Sequence, residues 1–92
     1  MITEHNEEYE VQISPAAKRD LDKIPIENCR RIDNKILQLA NNPRPPRVIK
    51  LKKNIYRIRV GNYRIIYIID DVNRIVVISR VKKRSEETYK SI

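Results

Sequence analysis

Residues 54–71 read NIYRIRVGNYRIIYIIDD and hold the only glycine of the 92-residue chain. Two runs of alternating apolar residues flank Gly61-Asn62, which is the pattern of a β-hairpin. Glycine at the first loop position suits a two-residue type II′ turn, because that position needs φ > 0. A two-residue loop then sets the register. Val60 faces Tyr63, Arg59 faces Arg64, Ile58 faces Ile65, Arg57 faces Ile66 and Tyr56 faces Tyr67. Side chains alternate between faces along a strand. Tyr56, Ile58, Val60, Tyr63, Ile65 and Tyr67 therefore make a core face, and Arg57, Arg59 and Arg64 share the other with Ile66 and Ile68. Like charges directly opposite one another destabilise a strand pair, where a favourable pair contributes ~0.2–1 kcal/mol. Residues 54–69 contain no Asp or Glu. A cation cluster with no acidic residue in the same stretch costs stability and points to a polyanionic ligand. The plain alternative is a solvated outer face.

Ninety-two residues make one domain, spanning 1–92. A chain of this size buries only about 60–65% of its unfolded surface, enough for one small core and little room for a deep pocket. The single cysteine excludes an intramolecular disulfide, and Cys29 is expected as a small buried residue on a helix. His5 is the only histidine and lies in a polar N-terminal stretch. Histidine catalysis and histidine metal clusters are thereby set aside, and no metal or cofactor is expected. No apolar run reaches the ~18–20 residues of a membrane span. The opening MITEHNEEYE is acidic rather than signal-like, so the expectation is a cytoplasmic protein without a membrane partner.

The net charge of +8 is unevenly spread, with −2 in residues 1–43 and +10 in residues 44–92. Such asymmetry is an electrostatic footprint for nucleic acid or another anion. The candidate nucleic-acid contacts are Arg44, Arg47, Lys50, Lys52, Lys53, Arg80 and Lys82.

The rest of the chain builds a frame around the hairpin. Residues 1–7 read as a disordered tail, and 8–14 as a strand in which Tyr9, Val11 and Ile13 alternate with Glu10 and Gln12. Ser14-Pro15 opens a helix, with serine as N-cap and proline at N1. Ala17, Leu21 and Ile24 share its apolar face, and Pro25 ends it. A second helix over 26–40 carries the stripe Cys29, Ile32, Ile36, Leu39 and Ala40. The short connection predicts an antiparallel helix pair. RPPR at 44–47 is a stiff extended linker, 48–51 is a short edge strand, and Lys52-Lys53 is a loop. Asp70-Asp71 reads as turn chemistry. Residues 74–81, RIVVISRV, form a central strand; 82–92 are a basic C-terminal tail with one helical turn after Ser85. The fold class is α+β, in the order β-α-α-β-β-β, with two helices on one face of a small, mainly antiparallel sheet.

Several of these segments carry a family resemblance. YEVQISPAAKRDLDKIP, NNPRP, LKKNIYRIRVGNYRIIYIIDD and IVVISRVKKRSEETY resemble the RelE/ParE superfamily of toxin–antitoxin toxins over residues 9 to 89. The resemblance implies a RelE-like fold and a cognate antitoxin that wraps the toxin. RelE-like members are expected to cut mRNA in the ribosomal A site, beside ribosomal RNA. They do so by 2′-OH attack, leaving a 2′,3′-cyclic phosphate. Their catalytic set falls here on Arg57 and Arg59, Arg64, Lys83 or Arg84, and Tyr89. The first pair is arginine in this chain where a bacterial RelE has lysines. A ParE-like branch shares the fold, inhibits DNA gyrase and lacks this set. Arg64, the basic tail and Tyr89 favour the RelE-like branch.

Overall fold

The computed structural model describes residues 8–84. The tail at 1–7, the helical turn expected after Ser85, and Tyr89 lie outside the described residues. The elements are β1 (Glu10–Ile13), α1 (Pro15–Asp22), α2 (Ile26–Asn41), β2 (Ile49–Lys52), β3 (Ile55–Val60), β4 (Tyr63–Asp70) and β5 (Ile75–Lys83). The sheet order is β1-β5-β4-β3-β2. β1 and β5 pair parallel and the other neighbours antiparallel. The expected α+β architecture is the one observed; the edge strand expected at 48–51 is β2, shifted by one residue so that Lys52, expected in a loop, ends the strand opposite Ile55. Among the described residues no helix is long and apolar enough to cross a membrane.

Local chemistry accounts for the element ends. Ser14 is extended (φ −67°, ψ 158°), and its Oγ accepts the Ala17 N–H at 3.1 Å, with Pro15 following in the first turn of α1. The same hydroxyl donates to the Ser79 carbonyl at 2.9 Å, so the helix cap also ties α1 to β5. Pro25 separates the helices and stands at the N-terminus of α2. Each helix packs chiefly on strands rather than on the other helix: α1 lies against β5, and α2 against β1 and β3. Ala17, Ile32, Ile36 and Leu39 meet Tyr56, Ile58, Tyr63, Ile65, Tyr67 and Ile69 in one core. Leu21 and Ile24 border it half-buried. Cys29 is half-buried rather than buried, and its thiol lies 3.5 Å from the Leu21 carbonyl across the helix connection.

The hairpin has the register expected from the glycine. Val60 pairs with Tyr63, Arg59 with Arg64, and Tyr56 with Tyr67. Gly61 has φ +59°, and Asn62 is not among the residues at positive φ, as a type II′ turn requires.

β5 departs from simple alternation. Ile66 pairs with Arg80 but Tyr67 pairs with Ile78, so Ser79 is an extra residue in the strand. Such a bulge reverses the alternation beyond it. Val76 and Ile78 point to the core on one side of the bulge, and Val81 does so on the other. An unbroken strand would have sent Lys82 to the core face and Val81 outward. β5 also continues to Lys83, past the boundary expected at Val81, because Lys82 and Lys83 supply the ladder opposite Arg64 and Tyr63.

β1 ends opposite Ile78, which leaves the next stretch of β5 with one uncovered edge. Asp20 of α1 fills that place. Its carboxylate accepts the Val81 N–H at 2.9 Å and the Arg80 Nε and Nη2 at 2.8 and 3.0 Å. Burial pushes the Asp20 carboxyl up. The Arg80 hydrogen bonds, the Val81 N–H and the nearby Arg80 and Lys82 charges outweigh it, leaving the group below its ordinary value.

A second polar clasp closes the opposite end of the sheet. Tyr9 donates its hydroxyl to Asp71 at 2.7 Å, and Arg44 forks onto the same carboxylate at 3.1 and 2.8 Å. Arg44 also donates to the Tyr56 hydroxyl and stacks 5.2 Å from that ring. Asp70, not Asp71, does the turn chemistry, accepting the backbone N–H and side-chain amide of Asn73. Asp71 thus serves as a long-range bridge, beyond the turn role its position suggested. Arg44, followed by Tyr9, holds its carboxyl down at about 2.

Candidate nucleic-acid interface

The helices cover one face of the sheet and leave the other open. Residues paired across strands share a face, so the open face can be read from the register. At the hairpin-tip end Arg59 pairs with Arg64 and Arg64 with Lys82. These three cations form a row across β3, β4 and β5. Arg57 lies two residues along β3 from Arg59 on the same face. The Arg84 backbone N–H donates to the Asn62 carbonyl at 2.7 Å, which fixes the end of β5 beside the turn. The open face changes character away from the tip, where Ile49, Ile55, Ile66, Ile68 and Val77 occupy it.

Arg64 sits at the centre of the charge. Burial lowers its pKa first, and the cationic Arg57, Arg84 and Arg59 lower it further. Four arginines therefore share one electrostatic neighbourhood. Arg59 is exposed and turns its Nε to the Gly61 carbonyl at 3.3 Å, while Arg57, Arg64 and Lys82 are half-buried. A row of like charges in a partly desolvated place is a surface that attracts anions.

The structure separates the two residues left as alternatives after the last strand. Arg84 joins the cluster around Arg64. Lys83 pairs with Tyr63, a core-face residue, and stands on the helix side. Lys82, read from the sequence as a general nucleic-acid contact, stands directly opposite Arg64.

The remaining charge candidates are dispersed. Arg44 is engaged by Asp71 and Arg80 by Asp20, so both serve the fold. Lys50 is opposite Tyr56 on the helix side of edge strand β2, and Lys52 is opposite Ile55 on the open side. Arg47 and Lys53 are exposed in the turns at opposite ends of β2; the register puts Arg47 at the end nearer the arginine row, beyond the Ile49–Arg57 pair, and Lys53 at the end away from it. Arg31 of α2 was not expected in the site, yet its guanidinium lies against Gly61. Nothing in the spacing of α2 signals this, since the helix pattern reports only its apolar stripe.

The family model described as ParE toxin of type II toxin–antitoxin system, parDE, matches residues 11–88. This chain belongs to the RelE/ParE family of toxins. A curated Methanocaldococcus jannaschii protein that carries the name RelE1 toxin is 28% identical over 88 residues, covering 90% of this chain and 97% of the relative. The toxin–antitoxin complex RelBE2 of Mycobacterium tuberculosis contains a chain of TM-score 0.75 and 30% identity, covering 85% of this toxin and 93% of that chain. The archaeal RelE–RelB complex of Pyrococcus horikoshii gives a TM-score of 0.77 at 30% identity, covering 83% of this toxin and 94% of that chain. This RelE/ParE toxin thus shares its fold with these proteins over most of its length.

Proposed function

We propose that this RelE/ParE toxin is the toxin of a RelBE-type system and cuts ribosome-bound mRNA. The observation that carries the reading is the row Arg59, Arg64 and Lys82, flanked by Arg57 and Arg84, on the open face. In the proposed step a ribose 2′-oxygen attacks the adjacent phosphorus, the P–O5′ bond breaks, and the leaving 5′-oxygen takes up a proton. The products are a 2′,3′-cyclic phosphate and a 5′-hydroxyl. Negative charge builds on the non-bridging oxygens as the bond forms. Guanidinium forks hold those oxygens bidentately and stabilise the charge. Arginine is a poor proton acceptor, so Arg57, Arg59, Arg64 and Arg84 serve as electrostatic groups. Lys82 and, by family resemblance, Tyr89 are the candidates for moving protons.

A cognate antitoxin completes the system. The two solved relatives at 30% identity are complexes with their antitoxins, and an acidic segment is the chemistry that the basic open face accepts. The toxin acts in the cytoplasm, where mRNA is translated beside ribosomal RNA. A second reading follows from the matched family model, which describes a ParE toxin: binding to DNA gyrase without RNA cleavage.

One experiment separates the two. Wild type and Arg64→Ala are expressed, mRNA ends are mapped by primer extension, and gyrase supercoiling is followed in parallel. Cleavage within the A-site codon, with cyclic phosphate ends, is expected. It should fall by ~10²–10³ in the variant, the cost of removing one donor to a developing oxyanion. Intact mRNA with inhibited supercoiling would overturn the nuclease reading in favour of the gyrase one.

A further inference from the structure

The hairpin tip meets the helix layer at Arg31. A Cβ placed on Gly61 would lie 3.3 Å from Nη2 of Arg31 and 3.5 Å from both Cζ and Nη1. Three guanidinium atoms at nearly one distance mean that the plane lies flat on the turn. Gly61 thus does two things: it supplies the positive φ of the turn, and it leaves room for this guanidinium. Among the described residues no carboxylate forms an ion pair with Arg31.

The guanidinium borders a notch of about 100 Å³ lined by Asn28, Arg31, Val60, Gly61, Asn62 and Tyr63. That is roughly three times the ~30 Å³ share of one water in the liquid, room for a phosphate group. Its polar side chains are the Arg31 guanidinium, the Asn28 and Asn62 amides and the Tyr63 phenol, all able to donate and none a carboxylate. The notch adjoins a groove of about 770 Å³ that shares Asn28, Asn62 and Tyr63 and carries Lys23, Lys82 and Lys83. The acidic residue in the described lining of that groove is Asp20, and it already accepts from Arg80 and the Val81 N–H. Lys82 belongs both to the groove and to the row opposite Arg64. Positive charge therefore runs from the open face, past the end of β5, to the helix side of the tip.

We infer that the hairpin tip holds a second phosphate site, in which Arg31 and the Asn28 and Asn62 amides bind a backbone phosphate of the RNA strand beyond the scissile bond. The strand continues along the groove past Lys82 and Lys83 to Lys23. The site rests on the nuclease reading for the identity of its ligand, but not for its chemistry. The exposed Arg31 guanidinium rests against a glycine turn, and its planar fork matches phosphate bidentately. The contact reads backbone and not base, so it positions the strand without choosing its sequence.

The test uses the full-length toxin and a fluorescent RNA oligomer that is 2′-O-methylated throughout, so that no 2′-oxygen can attack. Arg31→Gln should weaken binding about three- to tenfold, and should lower the slope of log affinity against log salt by about 0.7, one single-strand phosphate contact. Arg31→Lys should restore the slope but not the full affinity, because the charge returns without the fork. Lys23→Gln should act in the same direction as Arg31→Gln. On programmed ribosomes Arg31→Gln should raise KM and keep kcat, whereas Arg64→Ala lowers kcat. Thermal melts of each variant verify that the fold is intact. Unchanged oligomer affinity and slope in both Arg31→Gln and Lys23→Gln would overturn the site, even if KM on ribosomes rises. A lowered slope in a protein that cuts no RNA would keep the site and remove the nuclease reading.

Discussion

Asp20→Ala tests the device that sets the face of Lys82. The carboxylate is 15% exposed and accepts one backbone and two guanidinium hydrogens. A hydrogen bond to a charged group contributes about 1.5–3 kcal/mol net, and the Val81 N–H is of this kind. The Arg80 side chain is 43% exposed, so water recovers most of its solvation when the partner is lost. That half of the interaction is worth ~0–1 kcal/mol, the range of an exposed pair. The expected loss is therefore about 1.5–4 kcal/mol. At ~4–8 °C per kcal/mol for a domain of this size, Tm should fall by about 6–32 °C. Asp20→Asn keeps an acceptor for Val81 and should lose about half as much. Circular dichroism melts and urea midpoints measure both. A second readout is functional: if the bulge at Ser79 relaxes, Lys82 leaves the arginine row, and mRNA cleavage falls although Asp20 is not part of that row. An Asp20→Ala variant within ~0.5 kcal/mol of wild type, the range of a neutral surface change, would refute the reasoning.

Ile36 is 5% exposed in the core between α2 and the sheet, and Ile36→Ala should cost ~2–5 kcal/mol; an unchanged denaturant midpoint would show that α2 does not depend on this contact. Asp71 has a carboxyl pKa of about 2 in the folded chain against an ordinary 3.8. A depressed folded value adds stability above the ordinary range and loses it as pH falls toward the folded value. The gap in urea midpoint between wild type and Asp71→Asn should thus be full at pH 5 and should close as pH falls from about 4 to 2. A gap that persists at pH 2 would mean that the clasp does not depend on the Asp71 charge.

Some of this protein was legible without coordinates because the relevant physics is local. The Ser14 cap needs only the N–H three residues on. The helix stripes need only a 3.6-residue period. The hairpin register needs only a glycine at φ > 0 between two runs of period two. That register already brought Arg59 and Arg64 together. The family resemblance added the expected fold and the residues after the last strand, and the fold is as expected.

What tertiary structure decided lies at larger separations. Asp20 and Asp71 bind groups sixty or more residues away, and no local pattern marks a carboxylate for such a partner. The bulge at Ser79 is invisible in RIVVISRV, because an apolar run does not say where alternation breaks. It breaks where β1 ends and α1 offers a carboxylate to the open edge. That single extra residue sends Val81 into the core and Lys82 to the arginine row. Arg31 reaches the hairpin tip only because α2 packs across β3. The charges were thus in the sequence, but their grouping depends on register and packing, which only the folded chain brings together.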